Sequence, residues 1–334
     1  MCFFVSLHHM KCMIDIFVTL GLRLKDFGQT SATAEVIHRA ATENSWFLPQ
    51  EIIRSVDAIR DEMLDRRRLE AWASAYPPNP MPKRVLVIMA GNIPLVGFFD
   101  LLCVLASGHE CWVKPSSKDT VLIGYIIDLL KTIDPNVPIR LSGSDDRPNA
   151  VIATGSDNTN RYFRMLFDGI PSLLRGSRQS VAVLSGHETA KELSGLEEDI
   201  FAYSGLGCRN VSLLFLPRGY MPELHCTALN EKYRRNYLQE RAVLRMRRLP
   251  FVDLDGAVLY EERSFPTALS RIHYTFYDSL SEAEEWLSAH DAELQCVVSH
   301  CVRHSRLVSF GAAQHPRLCD YADDVDTMRF LGSI

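Results

Sequence analysis

The chain of 334 residues is long enough for two domains of ordinary size. Hydrophobic residues make up 47% of it and charged residues 23%, the composition of a packed globular protein and not of a disordered one. With 36 basic against 41 acidic residues the formal net charge is −5, so no basic field points to nucleic acid. Apolar runs such as residues 95–106 are broken by Asp100 and fall short of the roughly 20 residues that a membrane span needs. Nine cysteines are an odd set without disulfide-like spacing, which suits a reducing, cytoplasmic setting. Residues 1–13 lack a basic start followed by a clean apolar core, because His8, His9 and Lys11 interrupt them. They read as a frayed or over-extended start, not a secretory signal.

Residues 14–72 carry helical periodicity, with Ile52, Ile53, Val56 and Ile59 recurring at helix spacing and Asn44 or Ser45 placed to cap a helix near Pro49. The prolines of 77–82 end this helical layer. Beyond it strands and helices alternate: a strand over 84–89, a helix over 95–107 stopped by Gly108, a strand over 111–113 and a helix over 121–133. A strand over 151–153, a helix over 157–166 and a strand over 180–184 continue the series. Then come a helix over 188–203, a strand over 211–216, a long charged helix over 224–246, and a strand–helix–strand unit over 275–277, 281–289 and 295–298. Such alternation predicts a mainly parallel α/β sheet, whose ligands sit beyond the carboxyl ends of the strands. The loops after the strands are Gly91-Asn92-Ile93-Pro94, Lys114-Pro115-Ser116-Ser117 and Thr154-Gly155-Ser156.

Cys208 is the leading candidate for chemistry. Gly205 and Gly207 remove bulk around it, and the adjacent Arg209 favours the thiolate, the reactive form. A small buried hydrophobe is the alternative reading, and it is preferred for the other cysteines. Asn92 offers a neutral amide donor for a developing oxyanion, or else merely closes an Asx turn. Lys114 sits where it can meet a ribose hydroxyl or phosphate, and Gly155 and Ser156 open a helix whose N–H groups suit an anion or simply need a cap. No G-x-G-x-x-G follows the first strand. Cys296, His300, Cys301 and His304 do not match zinc spacing, so no metal site is expected. His109, His187 and His225 show no partner in the sequence and read as structural.

Taken in order, Gly91-Asn92-Ile93-Pro94, Val113-Lys114-Pro115-Ser116, Thr154-Gly155-Ser156, Val183-Leu184-Ser185-Gly186 and Gly207-Cys208 resemble the aldehyde dehydrogenase superfamily. The segments Met89-Ala90-Gly91-Asn92-Ile93-Pro94-Leu95-Val96-Gly97-Phe98 and Gly205-Leu206-Gly207-Cys208-Arg209-Asn210-Val211-Ser212 bring the resemblance closer, to its LuxC-like acyl-CoA reductase branch. Asn44-Ser45-Trp46-Phe47 and Asp320-Tyr321-Ala322-Asp323-Asp324-Val325-Asp326-Thr327-Met328 extend it towards both ends. The resemblance implies a Rossmann-type cofactor domain plus an α/β catalytic domain. The first covers residues 1–187, helical layer included, with the tail 306–334 expected to pack back on it; the second covers 188–305 and carries the nucleophile. It assigns Cys208 as nucleophile and Asn92 as oxyanion donor. Lys114, Ser116 and Ser117 fall at the adenosine ribose, and Gly155 and Ser156 beside the pyrophosphate. The implied activity is NAD(P)H-dependent reduction of an acyl-CoA, or a related acyl thioester, to an aldehyde through an acyl-cysteine. Homo-oligomer formation is left open.

Three departures bear on this. Val183 stands where hydrolytic relatives carry a water-activating glutamate, which speaks for thiol exchange and against the rival reading of a hydrolytic aldehyde dehydrogenase. Asn160 replaces the second glycine of the helix-opening motif, and the chain is short for the superfamily. A second rival is a non-catalytic nucleotide-binding protein on the same scaffold, against which Cys208 argues. Finally, Ser117 takes the place of the carboxylate that in NAD-preferring relatives accepts the ribose hydroxyls. Being neutral and flanked by Lys114 and Lys118, it predicts NADPH as cofactor, with NADH also admitted.

Overall fold

The computed structural model describes residues 2–77, 81–228 and 230–334, and the chain divides into two units, residues 1–177 with 317–334 and residues 178–316. The prolines and asparagine at 78–80, part of the expected end of the helical layer, lie outside the described residues.

The first unit opens with four helices, α1 (Cys2–Arg23), α2 (Ser31–Glu43), α3 (Pro49–Met63) and α4 (Arg66–Ala73). The expected frayed start is instead helical from Cys2, and Met10 and Met13 are buried in the core with Phe17 and Leu20. Their apolar stripe, not their propensity, keeps this segment ordered. In α3 the side chains of Ile52, Val56, Ile59 and Met63 fall on the buried face, as the periodicity predicts. The expected cap differs. Leu48 precedes Pro49 at the first helical position without a side-chain cap, and Asn44 closes α2 instead.

The sheet of this unit comprises β1 (Arg84–Ile88), β2 (Glu110–Lys114), β3 (Ile139–Leu141), β4 (Ala150–Thr154) and β5 (Ser172–Arg175) in the order β3-β2-β1-β4-β5, all parallel. Helices α5 (Phe98–Ala106), α6 (Thr120–Ile133) and α7 (Asp157–Leu166) make the crossovers. β3 and β5 go unread in the sequence because each has too few apolar residues to form a run. The helix expected from residue 95 starts only at Phe98, because Leu95 is left-handed (φ 56°) and its N–H bonds Asp119 Oδ2 at 2.8 Å.

The second unit holds β6 (Gln179–Val183), α8 (Ala190–Phe201), β7 (Val211–Pro217), α9 (Glu231–Met246), β8 (Val252–Asp253), β9 (Val258–Glu261), β10 (Arg271–Tyr277), α10 (Leu280–Ala289), β11 (Leu294–Val298) and β12 (Leu307–Val308). Their sheet runs β12-β11-β6-β7-β10-β9-β8, parallel except for the β8–β9 pair. Because β6 pairs with β7 and β11, the division falls after Ser177, ahead of the boundary at 187 that the resemblance implies. No helix among the described residues is long and apolar enough to cross a membrane.

The last helix, α11 (Thr327–Ser333), belongs to the first unit, where a buried polar network receives it. Arg175, at the end of β5, donates Nη1 to both oxygens of Asp100 on α5 (2.7 and 2.6 Å) and Nη2 to Thr327 Oγ1 at 2.7 Å. Trp72 donates to the Tyr321 hydroxyl at 2.7 Å, and Tyr76 bonds both Tyr321 and Asp326. The interruption of an apolar run by Asp100 thus has a structural explanation: it neutralises a buried arginine. Removing one partner leaves an uncompensated buried charge. Arg175→Ala should therefore cost about 3–5 kcal/mol, whereas Arg175→Met combined with Asp100→Leu should cost clearly less. Urea unfolding of both variants checks this, and equal losses would mean that the network is not governed by charge.

Candidate active site

Parallel strands end at one edge, so β1, β2 and β4 deliver the three candidate loops of the first unit together. Register places Ile88 beside Lys114 and Ala153, and Met89 N–H bonds the Lys114 carbonyl at 3.0 Å. Gly91 is indispensable to this approach: a Cβ there would stand 2.5 Å from Ser116 Oγ and 3.1 Å from Lys118 Cβ. Asn92, next in the chain, is exposed, as are Lys114, Ser117 and Lys118, while Ser116 is half-buried and accepts the Lys118 N–H through its hydroxyl (3.2 Å).

Irregular loops of this kind leave backbone groups that only side chains can satisfy. Asn44, buried at the end of α2, donates Nδ2 to Gly91 O (3.4 Å) and to Lys118 O (3.2 Å) while its Oδ1 accepts the Trp46 N–H (3.1 Å). Ser55 on α3 donates to Pro94 O at 2.8 Å. Asp119 accepts the Leu95 N–H, and burial pushes its carboxyl up to about 7.

At the third loop, Ser156 caps α7, accepting the Thr159 N–H at 3.3 Å and meeting its hydroxyl at 2.9 Å. Asp157 follows in the first helical turn, where its Oδ1 accepts the Ser177 N–H at 3.2 Å. A carboxylate there competes with any pyrophosphate for the positive end of the helix. Asn160 is buried, and its Oδ1 has no hydrogen-bond partner among the described residues. This amide is a buried polar group that a ligand could satisfy.

In the second unit Cys208 lies exposed in the turn that leads into β7, at the amino edge of the sheet. The preceding residues are unusual: Tyr203 (φ 53°) and Ser204 (φ 55°) are both left-handed, and Gly205 (φ 68°) follows. Two non-glycine residues persist in that region only where their surroundings over-determine them. Asn210 supplies much of that constraint. Its Nδ2 reaches the carbonyls of Asp199 (3.1 Å), Ile200 (3.1 Å) and Ala202 (2.9 Å), and its Oδ1 accepts the Gly207 N–H at 2.8 Å. From the sheet side, the fully buried Ser180 donates to the Cys208 carbonyl at 2.9 Å. The nucleophile candidate is thus exposed while its backbone is held on both sides.

Val183 is fully buried in β6, in one apolar cluster with Val181, Leu213 and Phe215. A valine packed there offers no group that could take a proton from water. Of the histidines expected to be structural, His109 accepts the Lys83 N–H and bonds Leu331 O at 3.0 Å, and His225 meets Glu197. Cys296 is buried beside Ser180, His304 pairs with Asp291, and His300 pairs with Glu192, so these side chains diverge. No group of three or more potential metal ligands occurs among the described residues. Ser185, His300 and Glu192 do reproduce the spacing of a nucleophilic triad, with Ser185 Oγ to His300 Nε2 at 3.1 Å and His300 Nδ1 to Glu192 Oε1 at 3.1 Å. Glu188, however, takes the Ser185 hydroxyl proton (2.8 Å) and the N–H groups of Ser185 and Gly186. Those N–H groups are the local candidates for an oxyanion hole, so the cluster serves as a cap ahead of α8.

This sheet pair, with glycine-tightened loops at the strand ends and a cysteine turn, is the aldehyde dehydrogenase fold. Similar solved structures include an NAD-dependent benzaldehyde dehydrogenase from Corynebacterium glutamicum (13% identity, 87% of this chain and 76% of that one, TM-score 0.59). The NAD+ complex of an aldehyde dehydrogenase from Bacillus cereus (14%, 87% and 71%, TM-score 0.59) and an acetylating aldehyde dehydrogenase from Geobacillus thermoglucosidasius (11%, 88% and 76%, TM-score 0.61) are further examples. No curated protein matches the sequence. Residues 28–225 match the family described as acyl-CoA reductase (LuxC), and the chain belongs to that family. Family and fold together support an oxidoreductase acting on aldehydes or acyl groups with a nicotinamide cofactor.

Beneath the Cys208 turn, Asp199 is wholly buried on α8, and its oxygens accept the N–H groups of Gly311 (2.7 Å) and Ala313 (2.9 Å). Burial pushes this carboxyl up to about 7 against the pull of those donors. In the unfolded chain an aspartate carboxyl titrates near its ordinary value of 3.8. The native state therefore binds this proton more tightly, and the resulting stabilisation, complete below about pH 4, is lost as pH rises towards 7. Urea midpoints should be higher at pH 5 than at pH 8, and Asp199→Asn should narrow that difference. An unchanged difference in the variant would remove Asp199 as the source.

Proposed function

We propose that the protein reduces an acyl-CoA, or a related acyl thioester, to the aldehyde, with NADPH as the preferred reductant. The observation that supports this most is the acyl-CoA reductase family match over residues 28–225, a span containing both the Asn92 loop and the Cys208 turn. In this reading the residues of the first unit form the cofactor domain. The residues at its strand ends suit such a cofactor in kind: an exposed lysine, two serine hydroxyls, and a buried asparagine oxygen that has no hydrogen-bond partner among the described residues. Lys114, Ser116 and Ser117 would hold the adenosine ribose, and the backbone at Gly155 and Ser156 would lie beside the pyrophosphate. The bound nicotinamide supplies the hydride.

The chain's own residues do the rest. The Cys208 thiolate attacks the thioester carbonyl, and the tetrahedral oxyanion is stabilised by the Asn92 amide and the Cys208 N–H. Collapse expels the coenzyme A thiolate and leaves an acyl-cysteine. After reduction the hemithioacetal collapses, the aldehyde leaves and the Cys208 thiolate is regenerated. Hydrolysis of the acyl-cysteine is the competing outcome, and the product distinguishes it: a carboxylic acid in place of an aldehyde.

Incubation with acyl-CoAs of varied chain length and no cofactor should add one acyl mass to the intact protein, and Cys208→Ala should abolish both the adduct and aldehyde formation. A stoichiometric adduct on the alanine variant would overturn the assignment. Asn92→Ala should lower turnover by on the order of 10²–10³ with little change in acyl-CoA affinity. Near-normal turnover would reduce Asn92 to a turn residue.

The cofactor preference rests on charge. Ser117 is neutral between the exposed Lys114 and Lys118, and the nearby Glu43 carboxylate is spent on the start of α6, accepting from Thr120 Oγ1 (2.5 Å) and Val121 N–H (3.2 Å). kcat/KM should favour NADPH, the preference should shrink as ionic strength rises, and Ser117→Glu should shift it towards NADH. A wild type that favours NADH would refute the charge argument.

A further inference from the structure

We infer that Asn44 is a positioning residue for this reaction, coupling the loop proposed to hold the cofactor ribose to the loop that carries Asn92. The inference rests on the acyl-transfer reading given above. Asn44 belongs to neither loop: it ends α2, yet one buried amide bonds Gly91 O in the first loop, Lys118 O in the second, and the Trp46 N–H of its own turn. No other side chain of similar size does all three. Aspartate lacks the two donors, serine has only one, and glutamine is a methylene too long for a buried site.

The two loops also have no slack between them. Gly91 packs where any Cβ would collide with Ser116, and Leu95 N–H bonds Asp119 Oδ2 across the same seam. From the helical side Glu43 grips Thr120 and Val121, and Ser55 grips Pro94. Residues 91–95 and 116–121 therefore form one hydrogen-bonded body with Asn44 at its centre. A ligand that orders Ser116 and Ser117 must also order Gly91, and with it the backbone that aims the Asn92 amide.

The test measures how fast Cys208 is acylated by an acyl-CoA, by rapid quench and intact mass, with and without saturating NADP+. That probe occupies the cofactor site but has no hydride to give, so the acyl adduct survives. In the wild type NADP+ should accelerate acylation roughly 5- to 10-fold, a typical size for coupling between two sites. In Asn44→Asp, which keeps the acceptor for Trp46 and loses both donors, the acceleration should vanish while acylation without NADP+ persists. A purely structural role would instead slow both arms equally and leave their ratio intact, and that result overturns the inference. So does a wild type whose acylation is indifferent to NADP+, an outcome readable even if the variant does not fold. Absence of any acyl adduct on wild-type Cys208 would remove the acyl-transfer reading itself, and the coupling with it.

Discussion

A buried backbone carbonyl or N–H outside a helix or sheet needs a hydrogen-bond partner, and in the loops that carry the candidate chemistry side chains supply it. Both units meet the demand in the same way. In the first, Asn44 takes the carbonyls of Gly91 and Lys118; in the second, Asn210 takes those of Asp199, Ile200 and Ala202. An asparagine amide suits such a position because it donates twice and accepts twice without a charge to desolvate. Asn44 reaches its two carbonyls across 47 and 74 positions of chain, so the first loop depends on a residue far from it, whereas Asn210 closes its own turn from within.

In each unit the exposed and the buried candidate residues divide the work accordingly. Asn92, Lys114, Ser117 and Cys208 are exposed, as residues that meet ligands must be, and their backbones are fixed from beneath by Asn44, Ser55, Ser180 and Asn210. Left-handed Tyr203 and Ser204, beside the cysteine turn, are conformationally costly, and the hydrogen bond from Asn210 to the Ala202 carbonyl holds the chain where they occur. Two buried aspartates, Asp119 holding the Leu95 N–H and Asp199 holding those of Gly311 and Ala313, have carboxyls pushed up to about 7, which makes the scaffolding itself sensitive to pH near neutrality.

Motif order carried the family a long way. Five ordered segments, from Gly91-Asn92-Ile93-Pro94 to Gly207-Cys208, carry the resemblance to the aldehyde dehydrogenase superfamily, because close backbone approach and nucleophilic chemistry constrain residue type directly. An ordered match says which segment corresponds, but which side chains of that segment face a substrate depends on the sheet, and Val183 points into the apolar cluster of β6 and β7. Likewise Asp157 in the first turn of α7 is ordinary as a helix-start residue, and only its place beside the proposed pyrophosphate position makes it a competitor for the ligand.

Local pattern determined most of the architecture: the parallel α/β alternation, the helical layer, the boundaries of α6 and α7, and the glycine-lined turn around Cys208. These follow from periodicity and backbone freedom, which act over a few residues. Tertiary structure alone decided the rest. It placed β6 in the second sheet, gave Asp100 its arginine, ordered the amino-terminal helix through the burial of Met10 and Met13, and turned Asn44 from an expected helix cap into a bridge between two loops. Each of those outcomes depends on a partner between 31 and 75 positions away in the chain, or on a core assembled from several helices, and no local window of sequence contains such a partner.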